Sequence, residues 1–177
     1  MHGPKFNVLL YSDESQTAFF AFVYAAIVMM NMPNMHLTIV QLKESNDASI
    51  NSEKNCLNGW PISPNSDWMK DISYQEVLTK TNELLSIRAV DVSYQVIYCN
   101  PNIADTVDAL MDFVRKRSIE LIIMGTREQR TLRGLVFGSL AHSLQDRSSV
   151  PVLLVKKLPA DIIDNYRSRP ILKLIQK

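Results

Sequence analysis

The chain has 177 residues and a formal net charge of +1, a length that favours one domain with a buried core. The near-neutral charge gives no indication of a nucleic-acid partner, because DNA-binding proteins usually carry a basic face. The two cysteines, Cys56 and Cys99, lack metal-binding spacing, which argues against a zinc site and fits a reducing cytosol. We therefore expect a cytoplasmic protein without a resident metal.

Strands and helices alternate along the chain. Hydrophobic patterns predict strands at 6–11, 37–42, 92–98, 121–124 and 151–156, and helices at 16–30, 72–89, 102–118 and 139–146. This order predicts an α/β fold: a five-stranded, mainly parallel open sheet with helices on both faces. We expect one domain over residues 1–158, a C-terminal extension over 159–177, and at about 43–70 either an ordered insertion or a flexible loop.

The first predicted helix is apolar on every side. Its segment 18–30, AFFAFVYAAIVMM, is shorter than the ~20 apolar residues that cross a bilayer, and it follows acidic rather than basic residues. It is therefore neither a membrane span nor a signal peptide. Since a helix on a sheet normally keeps one polar side, we expect residues 170–175 (PILKLI) to cover it, with burial in a higher oligomer or contact with a membrane surface as alternatives. The lack of basic residues argues against the membrane.

Polar residues and glycines follow the ends of the predicted strands. In open parallel sheets, ligands bind beyond the carboxyl ends of the strands. Ser12–Ser15, Leu42 with Lys43, Asn100 and residues 125–130 lie there, and a long loop leads from Gly125 to Gly138 and Ser139. These residues suit a nucleotide. They include an acid for a ribose hydroxyl, apolar residues for a base, and free N–H groups at a helix start for phosphates. Positive charge is added by Arg127, Arg130 and Arg133.

Each of these features has a purely structural alternative. Asp13 alternatively caps the first helix, Gly138-Ser139 forms only a turn and a helix cap, and the arginines belong to a solvated loop. The glycines match neither a Walker A motif nor GxGxxG. No Ser/His/Asp or Cys/His set indicates a catalytic reaction, so we expect a protein that is not an enzyme, or at most a slow ATPase.

Two segments resemble the universal stress protein family: LIIMGTREQRTLRGLVFGSLAHSLQDRSSVPVLLVKK at 121–157 and, less closely, FNVLLYSDES at 6–15. Nucleotide-binding members carry Gly-x2-Gly-x9-Gly-(Ser/Thr), matched here by Gly125 and by Gly138 with Ser139. Glu128 occupies the second glycine position. The family's Val-Asp-x-Ser is matched by Asp13 and Ser15. The resemblance covers residues 5–157 except 43–70, and implies a Rossmann-like, adenine-nucleotide-alpha-hydrolase-like fold.

The resemblance also implies a ligand and its site. The ligand would be ATP with magnesium, or AMP, and Leu42 aligns with the apolar residue that lies against adenine. The implied nucleotide-binding residues are Asp13, Ser15, Leu42, Gly125, Arg127, Glu128, Gly138, Ser139 and Leu140. A Glu128 carboxylate about 4 Å from a phosphate would oppose binding by roughly 4 kcal/mol, unless Arg127 or Arg130 neutralises it. The alternative is therefore a stress or interaction module that binds no nucleotide.

The strand at 151–156 is predicted to lie at one edge of the sheet. An exposed apolar edge strand seeks a partner, and the resemblance implies a two-fold pair formed there. We therefore expect a homodimer through residues 151–156.

Overall fold

A computed structural model describes residues 4–44, 67–126, 128–131, 134–137 and 139–170, with the backbone alone at Met69, 128–131 and 134–137. The elements are β1 (Phe6–Ser12), α1 (Gln16–Asn31), β2 (Met35–Glu44), α2 (Ile72–Ile87), β3 (Val92–Cys99), α3 (Ile103–Lys116), β4 (Leu121–Gly125), β5 (Glu128–Thr131), β6 (Gly134–Phe137), α4 (Ser139–Arg147), β7 (Val152–Val155) and α5 (Ala160–Ser168). Strand β2 extends beyond its predicted bounds at both ends, and α5 was not predicted.

Five strands form one parallel sheet in the order β3-β2-β1-β4-β7. The central strand β1 pairs on both sides, so that Leu10 lies between Ile39 and Ile123. Its residues Val8 and Leu9 are fully buried, as expected for a strand covered on both faces. The predicted α/β class, the parallel sheet and the edge position of the last strand, β7, are confirmed.

Helices cover both faces of the sheet, as predicted. Because side chains alternate along a strand, Val8 and Leu10 belong to the apolar core that contains α1, whereas Leu9 belongs to the core that contains α3 and α4. The buried residues of α3, Val107, Leu110, Met111 and Val114, follow the helical period. The two apolar layers therefore enclose the sheet from opposite sides.

Helix α1 is buried at nearly every position from Ala18 to Ala26. It lies between the sheet and α2, and the Phe19 ring is 5.3 Å from Trp68 and 5.8 Å from Tyr74, measured between ring centroids. The cover expected from residues 170–175 lies, beyond Pro170, outside the described residues. No helix in the described ranges is long and apolar enough to cross a membrane.

Helix α5 packs in the same core and is fixed to α2. Its Tyr166 is 4% exposed, and Lys80 donates to the carbonyl oxygens of Tyr166, Arg167 and Arg169 at the end of α5. Thr81 gives its hydroxyl proton to the Val77 carbonyl, so at 3.0 Å the Tyr166 phenol donates to the Thr81 oxygen. Burial raises the pKa of Tyr166 to about 12.

The C-terminal end of α1 is capped by a distant arginine. The helix has no basic residue in its last turn, and Met32, its C-cap, is extended. The Arg88 guanidinium, which follows α2, supplies the missing donors, and it also forms an ion pair with Asp91 at 3.1 Å. Its four carbonyl partners are Met29 (2.7 Å), Met32 (3.2 Å), Pro33 (2.8 Å) and Met35 (3.3 Å).

The prediction of a long loop between Gly125 and Ser139 is wrong, because β5 and β6 form an antiparallel hairpin there. Glu128 pairs with Phe137 and Thr131 pairs with Gly134, which leaves two residues to connect the strands. β-Branched and aromatic residues such as Val136 favour strands, and a two-residue connection is typical of hairpins.

Candidate functional site

The connection from β1 to α1 is built by short hydrogen bonds. Ser15 is the N-cap of α1, and its hydroxyl oxygen accepts from the Ala18 N–H at 3.2 Å. Asp13 Oδ1 accepts from both the backbone N–H of Ser15, at 3.1 Å, and its hydroxyl, at 2.5 Å. The helix cap is therefore Ser15 rather than Asp13, and the exposed Asp13 carboxylate orients that cap.

Glu14, between these two residues, has a backbone conformation that sequence reasoning did not indicate. Its φ of 60° lies in the left-handed region, which is uncommon for glutamate. Gln41 of β2 donates to the Glu14 carboxylate, and the buried Ser12 hydroxyl accepts from the Glu14 N–H at 3.4 Å. These contacts hold the Glu14 carboxylate beside the end of β2, one residue before Leu42.

Gly125, the last residue of β4, is in close contact with the first turn of α1. A Cβ added at Gly125 would lie 2.3 Å from the Thr17 carbonyl carbon and 2.6 Å from the Ala18 nitrogen. The φ of Gly125 is outside the left-handed region, so the requirement for glycine is one of space. This contact brings the end of β4 next to the segment that contains Asp13 and Ser15.

Thr126, the residue after Gly125, carries a buried hydroxyl group without a hydrogen-bond partner. It is 2% exposed, and its backbone N–H donates to the Val155 carbonyl at 3.0 Å. Its Oγ1 has no partner among the described residues. An unsatisfied buried hydroxyl costs about 1–3 kcal/mol, so the described part of the chain does not account for this polar group. Sequence reasoning missed it, although it adjoins the motif glycine.

Leu42 and Leu140 are partly buried in the apolar layer of α3 and α4. Leu42 is also paired with Ile97 of β3. Ser139 is exposed at the first position of α4. Helix α4 returns the chain to the start of the parallel strand β7, so its N-terminus faces the carboxyl edge of the sheet. Ser139, Gly125 and Ser15 therefore share this edge.

The other predicted site residues are Arg127, Gly138 and Glu128, with Asn100 at the end of β3. Arg127 and Gly138 lie outside the described residues, and for Glu128 the backbone alone is described, opposite Phe137 in the hairpin.

Asn100, at the end of β3, donates to Asp105 at 2.7 Å. This bond and a second one from Asn102 lower the pKa of Asp105. Within the described part of the chain, no group of three His, Cys, Asp or Glu residues is placed to hold a metal ion.

A parallel five-stranded sheet covered by helices on both faces defines an open α/β domain. The model of the universal stress protein family matches residues 61–156, more than half of the chain, and the chain belongs to that family.

Known relatives agree with this assignment. The stress response protein NhaX of Bacillus subtilis (strain 168) is 27% identical over 82 residues, which are 46% of each protein. The chain thus spans about half the length of that relative. The structure of a universal stress protein in complex with cAMP has a TM-score of 0.54 at 20% identity, covering 86% of this chain and 98% of that one. A universal stress protein from Archaeoglobus fulgidus has a TM-score of 0.51 at 16% identity, covering 86% and 95%. At these identities, the two structures support the fold alone.

Proposed function

We propose that this universal stress protein is a regulatory domain that binds an adenine nucleotide at the carboxyl edge of its sheet. The observation that carries the proposal is the Thr126 hydroxyl, buried and without a partner among the described residues. It lies beside Gly125, which packs against the helix start formed by Ser15 and Thr17. A ligand with hydroxyl or phosphate oxygens at this edge would supply the partner that the described chain does not.

The proposed roles of the edge residues follow from their chemistry. Asp13, an exposed carboxylate, would accept a hydrogen bond from a ribose hydroxyl, and Leu42 would contact the base. Ser139 and the first N–H groups of α4 would bind a phosphate, since a helix start favours anions. Arg127 and Gly138 would complete the phosphate site, and Leu140 would support it.

The glutamate at position 128 favours nucleotides with the fewest phosphate groups. Glutamate replaces the motif glycine there, and a carboxylate near phosphates opposes their binding. We therefore propose AMP or cyclic AMP rather than magnesium-bound ATP. The solved complex of a similar universal stress protein with cAMP supports the cyclic nucleotide as a candidate.

A second candidate function is a dimeric interaction module without nucleotide. Leu42 favours this candidate, because it already packs in the core beside α3. Strand β7 lies at one edge of the sheet, where a second copy would pair with it in a cytoplasmic homodimer. Neither candidate function requires catalysis, and turnover would be at most a slow ATP hydrolysis.

Calorimetry with ATP and magnesium, AMP and cyclic AMP distinguishes the two candidates. We expect AMP or cyclic AMP to bind more tightly than ATP with magnesium, and about tenfold weaker binding for Thr126→Val, because an isosteric change removes one buried hydrogen bond to the ligand. The matched control is Thr38→Val, a buried threonine in β2, away from the candidate site, which we expect to bind as the unmodified protein does. If no nucleotide gives heat at millimolar concentration and sedimentation shows a dimer, the interaction module is correct and nucleotide binding is refuted.

A further inference from the structure

A cavity lies at the amino-terminal edge of the sheet, opposite the candidate site, on the face covered by α3. Its volume is about 300 Å³, at the lower end of the range for small-molecule pockets. Its floor consists of polar side chains from three neighbouring strands, and its wall is the last turn of α3. The floor residues are Asn7 of β1, His36 and Thr38 of β2, and Ser93 and Gln95 of β3.

Among the described residues, the hydrogen bonds of the floor leave one buried side-chain atom without a partner. Ser93 Oγ lies 3.0 Å from Thr38 Oγ1 and 3.4 Å from His36 Nε2. The other ring nitrogen, His36 Nδ1, is buried and has no partner among the described residues. Because a ring nitrogen is a donor or an acceptor in either tautomer, its hydrogen bond is missing whichever nitrogen carries the proton.

The surroundings of His36 favour the neutral imidazole. Burial, followed by the positive charge of Lys5, lowers its pKa below the ordinary 6.5, and the carboxylate of Asp91 offsets this only in part. The floor therefore offers a neutral imidazole, hydroxyl groups and the Gln95 amide, which are neutral hydrogen-bonding groups.

The wall supplies one cation that has no paired carboxylate. Arg117 is exposed, and its guanidinium carbon lies 5.9 Å from the centre of the Phe113 ring. No carboxylate in the described ranges lies within ion-pair distance of Arg117. The neighbouring acids are occupied: Asp91 pairs with Arg88 and Lys5, and Glu120 accepts from a backbone N–H at 3.0 Å.

We propose that this cavity binds a small oxyanion, a carboxylate or a phosphate, which carries at least one further hydrogen-bonding group. Arg117 holds the oxyanion, since a planar guanidinium matches two oxygens of either group. The further group of the ligand meets the Ser93 hydroxyl and the Gln95 amide, which line the cavity beside His36. This site lies at the other end of the strands from Gly125 and does not depend on nucleotide binding.

The test follows the ring nitrogens of His36 in the full chain by nitrogen-15 NMR. Malate provides the carboxylate and glycerol 3-phosphate provides the phosphate, each titrated at constant ionic strength with sodium chloride as the balancing salt. We expect a saturable shift of the His36 signals with one or both probes. Arg117→Gln should weaken binding by about tenfold or more, because it removes a charge-assisted hydrogen bond.

The matched control is Arg115→Gln, which removes the same charge two residues away, from a side chain outside the cavity. It should change the affinity less than twofold, and Asp13→Asn, at the opposite edge, should leave it unchanged. Should Arg117→Gln fail to fold, Gln95→Ala serves as the second lining variant, with the same expected weakening. The absence of a saturable shift with both probes, or equal weakening by both arginine variants, would overturn the proposal.

Discussion

Replacing Gly125 by alanine tests why this motif residue is a glycine. The added methyl group would lie 2.3 Å from the carbonyl carbon of Thr17, whereas ordinary van der Waals contact begins at 3.4 Å. The obstacle is the backbone of α1 and not the end of a flexible side chain. The first turn of α1 must therefore move by about 1 Å, the difference between these two distances, which disturbs the Ser15 cap.

The magnitude follows from these two effects. Overpacking against a rigid neighbour costs about 1–3 kcal/mol, and a weakened helix cap adds about 1 kcal/mol. We expect Gly125→Ala to lower the free energy of unfolding by about 3 kcal/mol, which for a chain of this size lowers the midpoint of thermal unfolding by about 6–12 °C.

Urea and thermal denaturation, followed by circular dichroism without ligand, measure this change. Thr126→Val, the adjacent isosteric substitution, is the control, and it should be neutral or stabilising because it removes an unsatisfied buried hydroxyl. If Gly125→Ala unfolds within about 0.5 kcal/mol of the unmodified protein, the range of ordinary surface substitutions, the packing explanation is refuted. The glycine would then serve the ligand alone.

Three further predictions concern the supports of the fold. The pKa of Tyr166 is about 12 against the ordinary 10.0, so the folded protein favours the neutral phenol. The phenol therefore contributes about 3 kcal/mol to the free energy of unfolding below pH 10, and this contribution declines as the pH rises toward 12. Urea titrations should show this decline, and Tyr166→Phe should abolish it. Truncation after Lys157 removes the buried Ile163 with the rest of α5 and should increase the fluorescence of a hydrophobic dye above that of the full chain; unchanged fluorescence would show that the removed segment is no cover. Arg88→Lys should lower the free energy of unfolding by about 2 kcal/mol, because an ammonium group cannot reach all four carbonyl groups; an unchanged urea midpoint would contradict this role.

The sequence was sufficient to predict the sheet and its covering helices. Helix α3 has a polar and an apolar side, and the strands are short apolar runs with turn residues after them, so local patterns determine both. The hairpin at 128–137 was missed because its strands have four residues each and include Arg130 and a glycine, Gly134. Such short, polar strands carry too little periodicity to distinguish them from a loop.

The candidate site was less accessible to sequence reasoning, since its defining contacts join residues far apart in the chain. The pattern identified Gly125, but its contact with the backbone of Thr17 depends on how α1 crosses the sheet. The left-handed Glu14 and its bond to Gln41 likewise depend on the pairing of β1 with β2. Likewise, the sequence could not predict that the Thr126 hydroxyl is buried without a hydrogen-bond partner among the described residues, because this depends on the residues packed around it.

The arginine that caps α1 bears on the order in which the chain folds. Arg88 lies 53–59 residues from the carbonyl groups that it serves, so the last turn of α1 has no such donor until the connection between α2 and β3 has arrived. Contacts of this separation form late, because the closure of a long loop must come first. We therefore expect the start of α1, capped locally by Ser15, to gain protection from hydrogen exchange before its final turn does.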